Sequence, residues 1–297
     1  MTGALGGASA LTLSACSNSE GSGTGSTDAT RASSTTSRAE DQIGPTSAAP
    51  PDADVATASH TMASPNEIAK RATVPVLCWH QLRDWKASDS EYDRSLLVCP
   101  PDNFRAQLDA LVDDGWTTIG PDQYLEHLVE GTALPAKPVL LSFDDSQGSQ
   151  ISVGLPELRK RTMTATFFVM TVVLGNKGWM TREDVRDLAA AGMTVGSHTW
   201  DHHRVDEYSG KDFRIQLEEP RATLEDIIGQ PVVHFAYPFG AWDGEALPHV
   251  ADAAYRTAYQ LNDRKPSKDH PLLTLRRDLV DSRWSGQDLL DHLATKA

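Results

Sequence analysis

Hydrophobic and polar positions divide the chain into an amino-terminal part and a longer globular part. From about residue 66 onward, short β-branched or aromatic runs alternate with segments whose apolar residues recur at helical spacing. The predicted strands are residues 74–79, 138–143, 164–170, 193–196, 232–237, 256–260 and 272–276. Strands that alternate with helices predict an α/β fold with a parallel sheet. About seven such units in roughly 230 residues favour a barrel, with a doubly wound open sheet as the alternative.

The segments between the strands carry the signals expected of amphipathic helices. One apolar stripe has i, i+4, i+7, i+8 spacing and consists of Phe104, Leu108, Leu111 and Val112. A second helix is predicted after Thr181, with Asp184 placed as in a capping box and Gly192 as its stop. A last helix is predicted to begin at Ser285. These helices would cover the outside of the predicted sheet.

The amino-terminal part lacks the apolar residues that a folded core needs. Residues 1–16 are small, apolar and uncharged, and their last four, LSAC, resemble a bacterial lipobox. That resemblance implies an exported protein anchored by a lipid on Cys16, although the basic residues expected before the apolar stretch are missing. The alternative is an Ala/Gly-rich tail with one stray cysteine. Residues 17–65 are mostly Ser, Thr, Ala, Gly, Pro and Asp and are predicted to form a flexible linker.

Composition narrows the classes of partner. The 297 residues include 27 Lys plus Arg and 41 Asp plus Glu, which gives a net charge of −14. This balance disfavours nucleic acid, because phosphate binding needs clustered cations. No apolar run reaches the roughly 20 residues that span a bilayer, so membrane attachment would come only from lipid on Cys16. Cys78 and Cys99 remain as a pair, either bridged in an oxidising compartment or present as two buried thiols.

Polar or special residues follow four of the predicted strands. They are His80; Asp144 and Asp145; His198 with His202 and His203; and Tyr237 with Pro238. In a barrel of this kind the carboxyl ends of the strands meet at one face, where active sites are built. These side chains are therefore predicted to lie together.

The types and spacing of these residues favour a metal site. An Asp pair at a strand end is by itself typical of a helix cap, and a His pair by itself is typical of a surface. Together, Asp145, His198 and His202 make a carboxylate and two imidazoles, which leaves coordination positions open for water and substrate. The glutamate that follows the first histidine in zincin metalloproteases is absent, so that route to peptide hydrolysis is disfavoured.

Three segments resemble motifs of one family. Residues 142–145 (SFDD), 197–202 (SHTWDH) and 235–240 (FAYPFG) resemble successive motifs of the polysaccharide deacetylase domain, also called the NodB homology domain or carbohydrate esterase family 4. The resemblance implies a distorted (β/α)7 barrel and a divalent metal, most often zinc. It also implies removal of N-acetyl groups from polymers that contain N-acetylglucosamine. By this resemblance Asp144 is the base, Asp145, His198 and His202 bind metal, and the backbone N–H of Tyr237 stabilises the oxyanion.

The sequence departs from the family at several points. Ser146 stands where glycine is usual, and the arginine that braces the base is missing from the third motif. Arg276 or Arg277 could replace it, or both could be surface cations. The carboxyl-terminal Leu-x-His motif is also missing, but residues 77–80 (LCWH) carry a similar pattern with one more residue between Leu and His. This placement resembles circularly permuted deacetylases of poly-N-acetylglucosamine. It makes His80 the general acid, or else a histidine that packs the end of the sheet.

Two classes of function compete. The first is an extracellular or cell-wall polysaccharide deacetylase that releases acetate, with Trp79, Trp200 and Phe239 as walls for a sugar ring or as ordinary packing residues. The second is an inactive polysaccharide-binding lipoprotein with the same barrel. Glycoside hydrolysis needs two carboxyl groups roughly 5 to 10 Å apart across a bond. The adjacent Asp144 and Asp145 fit a metal site better.

Overall fold

A computed structural model describes residues 63–261 and 264–296. The predicted lipid anchor at Cys16 and the predicted linker up to residue 62 lie outside the described residues. The first helix begins at Pro65, and Ser64 caps it by accepting a hydrogen bond from the backbone N–H of Glu67. This helix was not predicted, and it takes the last residue assigned to the linker. Among the described residues no helix has the length and apolarity needed to cross a membrane.

Strands and helices alternate along most of the described chain. The strands are β1 (Val76–Trp79), β2 (Gln81–Leu82), β3 (Val98–Cys99), β4 (Thr117–Thr118), β5 (Pro138–Phe143), β6 (Thr166–Val169), β7 (Thr194–Ser197), β8 (His234–Ala236), β9 (Thr257–Gln260), β10 (Leu275–Arg276) and β11 (Asp278–Leu279). The α-helices are α1 (Pro65–Arg71), α2 (Pro101–Asp113), α3 (Pro121–Glu130), α4 (Leu155–Lys160), α5 (Arg182–Ala190), α6 (Glu219–Ile228), α7 (Ala246–Asp252) and α8 (Gly286–Ala294). Short π-helical turns occupy Asp93–Leu97, Gln150–Gly154 and Arg214–Glu218, and 3-10 turns occupy Val205–Glu207, Pro238–Gly240 and Pro271–Thr274.

The main sheet is parallel and forms a nearly closed barrel. Its order is β10-β9-β8-β7-β6-β5-β1-β11, and β4 pairs with β5 to make nine strands. Strands β10 and β11 lie at opposite ends of this order, yet Arg277 alone separates them along the chain. The chain therefore crosses directly from one edge of the sheet to the other. The predicted barrel is confirmed, and the doubly wound open sheet is excluded.

The predicted elements differ from the structure mainly at their ends. Strand β5 has the predicted bounds, whereas the predicted strand at 272–276 begins as a 3-10 turn and only Leu275–Arg276 is extended. Helices α5 and α8 begin with the expected capping boxes at Thr181 and Ser285. In α2 the predicted stripe is buried except for Val112, which is exposed.

Alternation along the strands decides which side chains enter the barrel. One buried cluster collects a single inward residue from each of six strands: Val76, Leu140, Phe168, Ala236, Tyr259 and Leu275. Because side chains alternate along a strand, Ser142 and then Asp144 also point inward after Leu140. Trp79 falls on the opposite face and packs against Phe104 of α2 at 5.7 Å between ring centroids. The alternation of side chains along the strands thus places the polar residues that follow them at the mouth of the barrel.

Candidate active site

Most of the predicted site residues meet in one cavity at the carboxyl ends of the strands. His80, Asp144, Asp145, His198 and His202 all line a cavity of about 110 Å³. The other lining residues are Tyr92, Leu97, Phe239, Leu261 and Leu279. Strands β1, β5 and β7 deliver the polar groups, which the apolar residues enclose. The convergence predicted from the strand ends is therefore present.

Asp145, His198 and His202 form a compact set of metal-ligand atoms. The Nε2 atoms of His198 and His202 lie 3.5 and 3.2 Å from Asp145 Oδ1. One potential ligand atom from each residue lies within 4.8 Å of the others. Asp145 Oδ1 is buried and has no hydrogen-bond partner among the described residues. An orphaned buried carboxylate oxygen between two imidazoles fits a divalent metal.

The hydrogen bond of His198 prepares its other ring nitrogen for a metal. Nδ1 lies 2.8 Å from the backbone oxygen of Ala236. A carbonyl only accepts, so Nδ1 carries the proton and the lone pair lies on Nε2, toward Asp145. Burial lowers the pKa of His198, but the carboxylates of Asp144 and Asp145 outweigh it and raise that pKa. The two carboxylates therefore stabilise a positive charge at the imidazole of His198.

Burial would raise the pKa of Asp145, yet that pKa lies well below its usual range. The imidazoles of His198 and His202 oppose the effect of burial, and the charge of His80 adds to theirs. Asp145 is therefore held as a carboxylate, the form that binds metal.

The backbone at the site adopts conformations that non-glycine residues seldom occupy. Positive φ angles occur at Asp145 (76°), Ser146 (61°), Thr199 (67°), His202 (68°) and Phe239 (58°). Each costs conformational energy that the surrounding structure must offset. At the histidine loop, the hydroxyl of Thr199 accepts a hydrogen bond from the backbone N–H of His202 at 3.0 Å. Strain of this kind concentrates where side chains must be aimed at one point.

Ser146 stands at the position where the first motif usually has glycine, and its contacts show how a serine is accommodated there. Its φ of 61° is one that glycine adopts freely. Its Oγ accepts a hydrogen bond from the backbone N–H of Met170 at 2.8 Å and donates one to the Met170 carbonyl at 3.2 Å. These bonds tie the loop after β5 to the end of β6. The serine is therefore compatible with the same loop.

Arg277 braces the candidate base. Its Nη1 and Nη2 atoms donate to Oδ1 and Oδ2 of Asp144 at 2.6 and 2.7 Å. Arg276 is exposed, whereas Arg277 is buried. Burial would raise the pKa of Asp144, but the charges of Arg277 and His198 lower it overall. Two alternatives were open for these arginines: that one of them replaces the arginine missing from the third motif, or that both are surface cations. The first alternative holds for Arg277.

His80 lies beside Asp144 with one ring nitrogen unpaired. Its side chain is buried, and Nδ1 has no hydrogen-bond partner within the described chain. Burial lowers the pKa of His80. Its backbone carbonyl accepts a hydrogen bond from Gln150 Nε2 at 2.9 Å, and the same amide donates to the Asp144 carbonyl at 2.5 Å. Gln150 thus joins the ends of β1 and β5, a role that no sequence motif indicated.

Tyr237 does not present the free N–H that the resemblance implied. Its N–H donates to the Tyr259 carbonyl at 3.0 Å, because pairing between β8 and β9 continues one residue past β8. Its hydroxyl donates to the Leu273 carbonyl at 2.9 Å, away from the cavity. Phe239, two residues on, does line the cavity, and no hydrogen bond of its N–H is found within the described residues.

The remaining candidates divide between core and surface. Trp79 is buried under α2 and cannot form a wall for a sugar, whereas Trp200 and Phe239 are exposed. The side chain of His203 is 72% exposed and contacts Asp201, so this histidine belongs to the surface. Cys78 and Cys99 are both free and buried, which matches two thiols rather than a disulfide.

Comparison with known proteins agrees with this geometry. Residues 131–258 match a family model described as polysaccharide deacetylase. YxkH of Bacillus subtilis, a protein named for the same family, is 24% identical over 217 residues, which cover 73% of this chain and 75% of YxkH.

Two solved structures share the fold and 25% of the aligned sequence. The deacetylase PplD of Streptococcus pyogenes, solved in complex with acetate, has a TM-score of 0.68 and covers 74% of this chain and 97% of its own. IcaB of Ammonifex degensii has a TM-score of 0.61 and covers 75% of this chain and 96% of its own. The motifs, the barrel and these likenesses agree, and over residues 131–258 the chain is similar to polysaccharide deacetylase domains of the NodB, or carbohydrate esterase family 4, type.

Proposed function

We propose that this protein is a metal-dependent hydrolase that removes N-acetyl groups from N-acetylglucosamine residues of an extracellular or cell-wall polysaccharide. The proposal rests on one observation: a metal-ligand set and a candidate base and acid lie together in one cavity. Asp145, His198 and His202 supply a metal-ligand set. Asp144 and His80 supply a candidate base and acid beside it. An inactive binding protein would not require both.

The ligand set defines what a metal would contribute. When bound by Asp145, His198 and His202, a divalent metal lowers the pKa of a water molecule and polarises a carbonyl group. Zinc suits one carboxylate and two imidazoles with open positions. We therefore propose zinc as the metal.

Asp144 is positioned to act as the base. Arg277 holds both carboxylate oxygens and keeps the group ionised, so it can accept a proton from water that attacks the acetamide carbon. Phe239 lines the same cavity, and we propose that its N–H donates to the developing oxyanion in place of the Tyr237 N–H. The water oxygen thereby becomes bonded to the acetyl carbon.

His80 is positioned to complete the hydrolysis. The carbon–nitrogen bond breaks with its electron pair on nitrogen, and the leaving amine must gain a proton. We assign His80 as the donor, because it lies beside Asp144 and lines the same cavity. The products are acetate and a free glucosamine unit. The pairing of β1 with both β5 and β11 supports this role, because it places the first strand beside the last.

The location of the protein is a separate proposal. Cys16 and the linker after it suit a lipid-anchored domain that acts outside the cell on a polymer. Metabolic labelling of the full chain with a fatty acid tests this, with Cys16→Ala as the control. Label in the unaltered chain and its loss in Cys16→Ala are expected. Equal labelling of the two would exclude the anchor at this residue.

Acetate release by the metal-loaded full chain tests the enzymatic proposal. N-acetylglucosamine oligomers and peptidoglycan are the substrates to compare, because both present the same acetamide. Release from either supports a deacetylase, and the ratio of the two rates ranks the polymers. No release from either while metal is bound would favour the polysaccharide-binding alternative.

A further inference from the structure

Tyr92 is an exposed aromatic residue at the mouth of the active-site cavity. It lies between β2 and β3 and lines the same cavity as the polar site residues. Its exposed fraction is 58%, and that of Phe239, which also lines the cavity, is 59%. Single exposed aromatic residues are common, but two that border one polar cavity indicate a surface that a ligand covers.

The backbone around Tyr92 is held by hydrogen bonds on both sides. The Ser90 N–H donates to Asp93 Oδ2 at 2.9 Å, and the Asp93 N–H donates to Ser90 Oγ at 3.1 Å. The Ser282 N–H donates to the Ser95 carbonyl at 2.6 Å, which ties this segment to the chain after β11. Tyr92 is therefore presented by an ordered segment, and binding against it would lose little conformational freedom.

The size of the cavity shows where a polymer must lie. Its volume is about 110 Å³, well below the roughly 300 to 1,000 Å³ of pockets that enclose whole small-molecule ligands. An acetamide group fits inside such a space, while the sugar ring that carries it and the adjoining rings stay at the rim. Tyr92 and Phe239 form the aromatic part of that rim.

We propose that Tyr92 determines specificity by stacking on a pyranose unit next to the one whose acetamide enters the cavity. This inference rests on the deacetylase function proposed above. One face of a pyranose ring is rich in C–H groups, which pack on the electron-rich face of an aromatic ring. A rim residue of this kind selects polymer chains over single sugar units, because a single unit has no neighbouring ring to reach it.

Two variants at Tyr92 test this inference against a matched control on the same segment. Tyr92→Ala removes the ring and Tyr92→Phe keeps it. Trp85→Ala removes another exposed aromatic residue that does not line the cavity. The measurement is kcat/KM for acetate release from N-acetylglucosamine itself, the monomer, and from its pentamer, using the metal-loaded full chain.

Tyr92→Ala is expected to lower kcat/KM on the pentamer about tenfold and to lower it less on the monomer, which has no neighbouring ring. The pentamer-to-monomer ratio therefore falls. Tyr92→Phe and Trp85→Ala are expected to keep the ratio of the unaltered chain. An unchanged ratio in Tyr92→Ala, or an equal fall on both substrates, overturns the inference while the deacetylase function stands. Absence of acetate release by the unaltered chain overturns the proposed function and this inference with it.

Discussion

Asp144 and Arg277 form a two-point ion pair inside the barrel, with donor–acceptor distances of 2.6 and 2.7 Å. Neither side chain has exposed surface. Arg277 is the single residue that links β10 to β11, the two strands at the ends of the sheet order. The group that orients the candidate base is thus supplied by the segment that closes the barrel. Stability and activity are expected to depend on the same contact.

Arg277→Met is expected to destabilise the fold substantially. Removal of one partner from a buried ion pair leaves an uncompensated charge, which costs about 3–5 kcal/mol of unfolding free energy. Denaturant unfolding measures this change. Arg276→Met, at the exposed neighbouring position, is the control and should lower the unfolding free energy less than Arg277→Met does. Equal effects of the two substitutions would show that the pair contributes nothing specific.

Arg277→Lys is expected to shift the pH dependence of acetate release. Arg277 lowers the pKa of Asp144, so the base stays ionised, and active, at lower pH. Lysine cannot reproduce the two-point contact. The pKa of Asp144 should rise, and the acidic limb of the kcat/KM profile should move to higher pH. If the acidic limb stays at the same pH in Arg277→Lys, that limb does not report the ionisation of Asp144.

His202 of the second motif and the adjacent His203 should behave differently. His202→Ala removes a candidate ligand 3.2 Å from Asp145 Oδ1 and is expected to lose bound zinc. His203→Ala removes a side chain that is 72% exposed and is expected to keep it. Metal content per chain after dialysis is the measurement. Full zinc content in His202→Ala would exclude this histidine as a ligand.

His80→Ala is expected to separate catalysis from metal binding. Loss of a general acid lowers kcat by about 10² to 10⁴, while the zinc content stays that of the unaltered chain. Steady-state kinetics and metal analysis on the same sample give both quantities. Near-normal kcat would mean that His80 only packs the end of β1.

Ser146 allows a comparison of two small substitutions at one strained position. Ser146→Ala keeps the positive φ and loses both hydrogen bonds to Met170, which should lower the unfolding free energy by about 1–3 kcal/mol. Ser146→Gly loses the same bonds but relieves the backbone strain, so it should cost less. Thermal unfolding compares the two. A glycine variant less stable than the alanine variant would show that strain is not relieved there.

The sequence predicted the parts of the site that depend on local order along the chain. Asp145 and His198 come within two residues of the ends of β5 and β7, and His202 lies on the loop after β7. Parallel strands bring such positions to one face. Arg277 remained one of two alternatives, because its direction depends on a link of one residue between strands at opposite edges. Gln150 left no signal, since its role is to join two backbones that are distant in sequence.

Tyr237 shows where a pattern of residues is insufficient. Its place in the third motif was clear, but whether its N–H is free depends on how far β8 pairs with β9. That pairing takes up the N–H of Tyr237, whereas Phe239 reaches the cavity. Trp79 was ambiguous for a similar reason, because strand parity decides that it faces α2 rather than the barrel mouth.

Asp144→Asn tests the central claim most directly, by measuring acetate release and zinc content on one sample of the full chain. The substitution keeps the shape of the side chain and removes the charge that accepts a proton. The expected result is one zinc per chain, as in the unaltered protein, with acetate release from N-acetylglucosamine oligomers reduced at least about 10²-fold. Release at an undiminished rate would contradict the assignment of Asp144 as the base.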